Sequence, residues 1–359
     1  MKTAVFRVDS SVEIGTGHVM RCLTLAEELK EKGYHSIFVT RKHEGSLSSY
    51  IADKGFQVEL LNAASVAAHN DQDLKHSHWL GVHQKEDVME TLNKVAYLAT
   101  VDLLVVDHYG IDYRWESMVR ASGNVQQLFV IDDLADRKHN CDLLLDQNYY
   151  PNMRQRYDGL VNKDCKLLLG PSFALLRKEF KVARKNLSQW SGPIERVLIF
   201  FGGTDPTNET MKVLKAISRL AVKDIIFDVI VGASNPKQDV IKELTASLEH
   251  VHFYCQVTNM AELMVKADLA IGAGGSTTWE RCYLGLPALT IDVAENQSEI
   301  LEALHNKCVL HHLGKSRAVS ADDVARHFYH LIENQELLKH MSTNALALMS
   351  EETDYSSFF

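Results

Sequence analysis

Short, almost unbroken apolar runs recur along this chain, and one after another stops at a polar or glycine-rich cluster. Val101 to Val106 is the clearest case, interrupted only by Asp102 and ending in Asp107-His108-Tyr109-Gly110. A parallel strand buried on both faces reads this way. Stretches of helical spacing separate the runs, and that alternation predicts an α/β fold with parallel sheets. In such a sheet the clusters at the carboxyl ends of the strands collect along one edge, where ligands bind. The clusters are therefore the first place to look for function.

The chain opens with Thr3 to Val8, read as a strand, and Val19 to Lys32, read as an amphipathic helix ending at Gly33. Between them lies Ile14-Gly15-Thr16-Gly17-His18, followed by Arg21. Glycines there let the backbone turn tightly and a ligand approach closely, and a helix amino terminus offers unpaired N–H groups to an anion. His18 is the only side chain of the Gly15–His18 tetrad able to exchange a proton near neutral pH. Its plainer role would be to cap or pack against the helix start. Further strands are expected at Ser36 to Thr40, Gln57 to Leu61, Leu128 to Ile131 (ending in Asp132-Asp133), Leu143 to Leu145 (ending in Asp146-Gln147-Asn148) and Leu167 to Leu169. Asp132 and Asp133 read as cap or turn residues. Asn62 to His83 is polar and irregular, and carries His69, His76 and His78. It lacks the cysteine or carboxylate spacing of a zinc site, and a solvated loop accounts for it. Helices are expected over Glu86 to Thr100 and about Ser172 to Arg184, and Asn186 to Pro193 reads as a linker.

The alternation then restarts. Strands are expected at Arg196 to Phe201, running into Gly202-Gly203-Thr204-Asp205, at Ile225 to Val231, Val251 to Tyr254 and Leu269 to Ile271, and last at Pro287 to Ile291. Asn259 to Lys266 reads as a short helix, and two more close the chain at about Ala321 to Glu333 and Glu336 to Met349. With 359 residues, two domains are expected, placed at 1–188 and 189–359. The whole reads as α/β and GT-B-like: two Rossmann-like domains with parallel sheets facing across a cleft.

Gly272 to Thr278 joins a strand, a glycine-rich turn, hydroxyl residues and a helix start, which suits a phosphate or diphosphate. It is neither a P-loop nor a dinucleotide fingerprint. Gly203, Gly274, Gly275, Ser276 and Thr277 are thus expected at the site of a nucleoside diphosphate, with the backbone of Met260 near the base. Glu280 is suitably placed for ribose hydroxyls, although a helix dipole also favours an acid there. Asn296 and Gln297, past the last strand, are natural donors to sugar hydroxyl or acetamido groups.

Composition excludes several classes. The net charge of −9, with no basic block, argues against a nucleic-acid partner. No apolar run approaches a membrane span, and Arg7 and Asp9 break up the first one too early for a signal peptide. Six scattered cysteines without a C-x-x-C pair fit reduced thiols and a cytoplasmic setting. No cofactor is called for. No Asp-x-Asp stands beside the glycine turns, so no metal is expected. The oligomeric state stays open, a monomer being the simplest case.

Taken in order, Phe6 to Ser11, Ile14 to His18 with Arg21, Asp107 to Gly110, Phe173 to Phe180, Gly202 to Asp205, Glu280 and Asn296-Gln297 resemble the PseG-type UDP-sugar hydrolases of pseudaminic acid biosynthesis, relatives of the glycosyltransferase MurG. The resemblance covers roughly Phe6 to Lys307. It implies that water attacks the anomeric carbon of UDP-2,4-diacetamido-2,4,6-trideoxy-β-L-altropyranose and that UDP leaves. It implies His18 as the base, Gly17, Tyr109, Arg177, Asn296 and Gln297 toward the sugar, and Glu280 on the ribose. Diphosphate is a good leaving group, so one base suffices where most glycosidases need two carboxylates, and a direct displacement inverts the anomeric centre. The long Asn62–His83 loop and the tail past Lys307 depart from shorter relatives. The competing readings are a transferase on the same fold and a nucleotide-sugar binder without turnover.

Overall fold

The computed structural model describes residues 2–63, 74–187, 192–220, 222, 224–349 and 355–359. The chain divides into two compact units. The first takes the described residues of Met1–Asn148, Asn152–Leu175 and Thr353–Phe359, and the second those of Tyr149–Pro151 and Leu176–Glu352. The 188/189 boundary lies outside the described residues, as does the middle of the Asn186–Pro193 linker.

In the first unit the elements run β1 (Lys2–Val8), α1 (Gly17–Glu31), β2 (Tyr34–Arg41), α2 (Ser48–Asp53), β3 (Gln57–Leu61), α3 (Gln84–Lys94), β4 (Val101–Asp107), α4 (Tyr113–Ser122), β5 (Val125–Ile131), β6 (Leu143–Asp146) and β7 (Lys166–Leu169). The seven strands pair in the order β3-β2-β1-β4-β5-β6-β7, every pairing parallel. Both faces are covered. Ala4, Phe6 and Val8 of β1 enter one core with Leu103 and Val105 of β4, while Val5 enters another with Leu104 and Val106. This two-sided burial is why β4 reads as a continuous apolar run. The winding reverses between β1 and β4, and a doubly wound sheet offers its ligand crevice at the carboxyl end of that reversal. His18 follows β1, and Asp107 ends β4.

The second unit runs α5 (Lys178–Lys185), β8 (Arg196–Phe200), α6 (Glu209–Ile217), β9 (Ile226–Val231), α7 (Gln238–Ala246), β10 (Val251–Cys255), α8 (Met260–Lys266), β11 (Leu269–Ala273), α9 (Thr277–Tyr283), β12 (Ala288–Asp292), α10 (Glu295–Asn306), β13 (His311–Lys315), α11 (Ala321–Ile332) and α12 (Gln335–Leu348). Its sheet has the order β10-β9-β8-β11-β12-β13, again wholly parallel. Here the winding reverses between β8 and β11, so the Gly202-Gly203 and Gly274-Gly275 turns emerge side by side.

Three expectations need correction. The helix expected over 172–184 is a single 3-10 turn at Pro171–Phe173 and, separately, α5. Between them Ala174 and Arg177 are extended (ψ 133° and 145°) where the chain passes from one unit to the other, and Gln147 accepts from the Leu175 N–H. The helix expected over 86–100 starts earlier and stops at Lys94. The edge strand β13 (His311–Lys315) adds a strand beyond the expected set. Part of the 62–83 loop lies outside the described residues, His69 included, and the described part contains a 3-10 turn at Ser77–Leu80.

Candidate active site

In the first unit, α1 starts at Gly17, with His18 on its first turn and Arg21 one turn later on the same face. Gly15 has φ +80°, and a Cβ on either Gly15 or Gly17 would meet open space. Spacing of three brings both His18 and Arg21 onto Asp107. The His18 Nδ1 lies 2.5 Å from Asp107 Oδ1, and Arg21 grips the same carboxylate in bidentate fashion, Nε to Oδ2 at 2.5 Å and Nη2 to Oδ1 at 2.7 Å. Arg21 also reaches Asp133 through Nη1 at 2.5 Å. Tyr109 donates its hydroxyl to the same Asp133 oxygen at 2.5 Å, and Asn148 donates to the other at 2.8 Å.

These groups are nearly withdrawn from water, His18 being 7% exposed and Asp107 1%. Burial alone would raise the Asp107 carboxyl, but Arg21 and then His18 outweigh it and hold it well below the usual range. Asp107 therefore stays ionised and fixes the proton of His18 on Nδ1. That leaves the Nε2 lone pair, which makes no hydrogen bond among the described residues. An imidazole held this way by a carboxylate is oriented to accept a proton at the opposite nitrogen. The reading of Asp133 as a cap or turn residue is corrected here, since it anchors Arg21 and Tyr109. Asp132 does accept from the Ala135 N–H, as a turn residue should, and also pairs with Arg137 at 2.8 Å.

A second buried network fastens the start of the loop. Asp9 receives Arg7 in bidentate fashion at 2.7 and 2.9 Å and the Arg41 N–H at 2.6 Å. Asp87 of α3 takes Arg7 and Arg41 at 2.6 and 2.7 Å. His108 accepts from the Gly110 N–H at 3.0 Å, which leaves its other nitrogen, carrying the proton, 3.3 Å from Asp9. The ends of β1, β2 and β4 are thus tied together directly beneath the His18 loop.

The tyrosine expected toward the sugar has its hydroxyl committed to Asp133, and its ring stands edge-on to His18 with centroids 4.6 Å apart. The 76–80 segment lies against the same ring, Trp79 stacking on Tyr109 at 5.6 Å and 23°. The solvated-loop reading therefore does not hold for His76 and Trp79; it holds for His78, which pairs with Glu13 at the surface, at 2.8 Å.

In the second unit the structure brings Arg177 and Glu280 together. Arg177 donates to Glu280 Oε1 through Nε at 3.0 Å and Nη2 at 2.9 Å, and to Glu179 at 2.6 Å. Glu179 in turn accepts from the Ala261 N–H at 3.1 Å, beside Met260 at the start of α8. The other Glu280 oxygen, Oε2, is buried without a hydrogen-bond partner among the described residues. Burial raises the Glu280 carboxyl and Glu179 adds to this, Arg177 pulling the other way.

The glycine turn owes its composition to close contacts. A Cβ on Gly274 would come within 2.6 Å of Leu301, and one on Gly272 within 2.7 Å of the buried Arg281 guanidinium. Arg281 staples the turn from beneath, donating to the Ala273 carbonyl at 2.7 Å and to Thr278 at 3.0 Å. Burial lowers Arg281 to about 10. Gln297 holds the turn from above, its amide oxygen accepting from the Gly274 and Val293 N–H groups at 3.3 and 3.0 Å. The N–H groups of Gly275, Ser276 and Thr277 make no hydrogen bonds among the described residues, which leaves donors at the start of α9 for an anion. Asn296 is exposed. Gly203 sits so close to Gly232 that the latter has no room for a side chain. Asp205 caps α6, accepting from the N–H groups of Glu209 and Thr210.

Among the described residues, no group of three or more His, Cys, Asp or Glu is placed to hold a metal ion, and no helix is long and apolar enough to cross a membrane.

Residues 197–357 match the Glycosyltransferase family 28 C-terminal domain. An uncharacterised protein of Methanocaldococcus jannaschii, MJ1062, is 27% identical over 87% of this chain, which spans 60% of that protein's length. The UDP-2,4-diacetamido-2,4,6-trideoxy-β-L-altropyranose hydrolase of Campylobacter jejuni is 26% identical over 84% of this chain and 96% of its own. Among solved structures, Acinetobacter baumannii MurG superposes with a TM-score of 0.65 at 14% identity, covering 100% of this chain and 98% of that one, a likeness of fold. The two wholly parallel sheets and these similarities make the chain a GT-B-fold homologue of the altropyranose hydrolase, its second half matching the family 28 domain.

Proposed function

We propose that the protein is an enzyme acting on a UDP-sugar, and that its reaction is hydrolysis of UDP-2,4-diacetamido-2,4,6-trideoxy-β-L-altropyranose. One observation carries the chemical part of this reading: Asp107 and Arg21 fix the His18 ring so that Nε2 is unspent. In the reaction, a water oxygen bonds to the anomeric carbon while its proton passes to Nε2. The bond from that carbon to the phosphate oxygen breaks, and UDP departs with the electron pair. Attack opposite the leaving group inverts the centre. A positioned base of this kind contributes about 10²–10⁴-fold.

The second unit binds UDP in this reading. The free N–H groups of Gly275, Ser276 and Thr277 receive the diphosphate in place of a metal ion, and the unpartnered Glu280 Oε2 accepts from the ribose. Met260 and Gly203 border the nucleotide, and Asn296 turns to the sugar. Likeness to the hydrolase, which the chain spans almost end to end, supports the substrate class.

The family 28 match favours a second reading, a transferase with a hydroxyl acceptor in place of water. Incubating the protein with a panel of UDP-diacetamido-trideoxyhexoses in EDTA, with no acceptor added, and following UDP and free sugar by NMR separates the two. Stoichiometric release of both supports hydrolysis. Release that waits for an acceptor, or for a divalent cation, overturns it.

A further inference from the structure

The 76–80 segment is the part of the first unit that its sequence explains least, and it stands beside the reactive histidine. Trp79 stacks on Tyr109, its ring centroid is 6.3 Å from that of His18 at 79°, and His76 leans on it at 4.4 Å. The segment is seated there by a glycine: a Cβ on Gly110 would stand 3.0 Å from the His76 carbonyl oxygen. Glu13 of the His18 loop pairs with His78 and ties the two segments together. Trp79 and His76 are both only partly buried. Neither the indole N–H nor the His76 imidazole makes a hydrogen bond among the described residues. Burial, with Lys75 adding to it, lowers His76, which keeps its ring neutral.

An aromatic face with an unspent N–H at its edge suits a particular kind of group. An indole N–H is a donor only, and ligand pockets combine aromatic walls with a few placed polar groups. A secondary acetamide is planar, carries a methyl group and offers a strong carbonyl acceptor. Its methyl and amide face can lie on the ring while the carbonyl takes the N–H. A hydroxyl-rich sugar can lay a C–H face on such a ring but lacks the planar amide that meets the ring and the N–H together. A base must come within about 3 Å of the attacking water, so the sugar carbon under attack is brought close to His18, whose ring centroid is 6.3 Å from that of Trp79.

We propose that Trp79, backed by Tyr109 and flanked by His76, is the subsite that reads an acetamido group of the sugar. The inference rests on the reading of His18 as the base for a UDP-sugar. It makes Trp79 a specificity residue that binds sugar and leaves the nucleotide alone.

The test uses calorimetry in the His18→Asn protein, so that the sugar nucleotide stays intact, and compares UDP with the diacetamido UDP-sugar. The UDP-sugar should bind about tenfold more tightly than UDP, which is about 1.4 kcal/mol and within the combined reach of a ring contact and one hydrogen bond. Trp79→Ala should reduce that advantage to about twofold or less, with UDP affinity unchanged. Trp79→Phe, which keeps a ring and removes the N–H, should fall between the two. An advantage that survives Trp79→Ala overturns the proposal, as does a protein with Trp79 that shows none. If His18→Asn still releases UDP, the base assignment fails separately, and the Trp79 comparison is read from KM in that turnover.

Discussion

Glu280 gives one carboxylate oxygen to Arg177 and keeps the other buried and unbonded. A buried acceptor without a partner costs free energy, about 1–3 kcal/mol or more when charged, and a hydroxyl donor arriving with a ligand relieves that cost. Glu280→Gln keeps an acceptor for Arg177 and loses the charge, so UDP should bind about 1–3 kcal/mol more weakly. Because burial raises this carboxyl, protons compete for it: wild-type UDP affinity should decline as the pH is lowered, and the Gln protein should lack that decline. Calorimetry across a pH series checks both. Equal affinities throughout would remove Glu280 from the nucleotide site.

His18→Asn retains a side chain able to bond Asp107 and removes the proton acceptor. Turnover should drop by about 10²-fold or more while UDP affinity stays within a few-fold. In oxygen-18 water, label should enter the anomeric hydroxyl of the sugar and be absent from UDP. A stable His18→Asn protein turning over at close to the wild-type rate would refute the mechanism.

Asp107→Asn tests positioning. The amide still fills the site but no longer fixes the imidazole proton on Nδ1, and Arg21 loses half of its counter-charge. Turnover should fall about as far as in His18→Asn, with KM little changed. Stability should fall too, by about 3 kcal/mol, as for other broken buried pairs. A large loss of stability with normal turnover per folded molecule would make Asp107 purely structural.

Acid should unfold the first unit sharply. Asp9, Asp87, Asp107 and Asp132 are all held below the ordinary aspartate value; burial opposes this, and their arginine neighbours outweigh burial. A folded value below the unfolded one, about 3.9, means that the stabilisation is complete above the unfolded value and is lost as pH falls through the folded one. Urea resistance should therefore drop steeply as the pH falls below about 4. A level profile down to pH 2.5 would contradict the arginine pairing.

The sequence reveals what is periodic or contiguous. β4 and the glycine turns announce themselves because burial on both faces and tight turns leave local composition no choice. β13 does not: His311-His312-Leu313-Gly314-Lys315 has no apolar run, since an edge strand need not be buried. α4 is masked by charge, with only Trp115, Glu116 and Val119 buried. His18 stands out by its setting, but its partner Asp107 lies 89 residues on, and Arg177 lies 103 residues from Glu280. Such pairings follow from strand order, which no local pattern encodes. Trp79 is hidden for a different reason, a polar, histidine-rich neighbourhood that reads as solvent-exposed.

Tyr355 is 2% exposed within the core of the first unit, its hydroxyl bonded to the Phe173 carbonyl, and Phe359 packs on Phe129. These residues follow the whole of the second unit in the chain. During synthesis the first unit therefore leaves the ribosome with part of its hydrophobic interior still unmade, and completes it only after the second has been translated. An amino-terminal half released alone would expose that seam to water, and its solubility would depend on supplying the closing segment in trans.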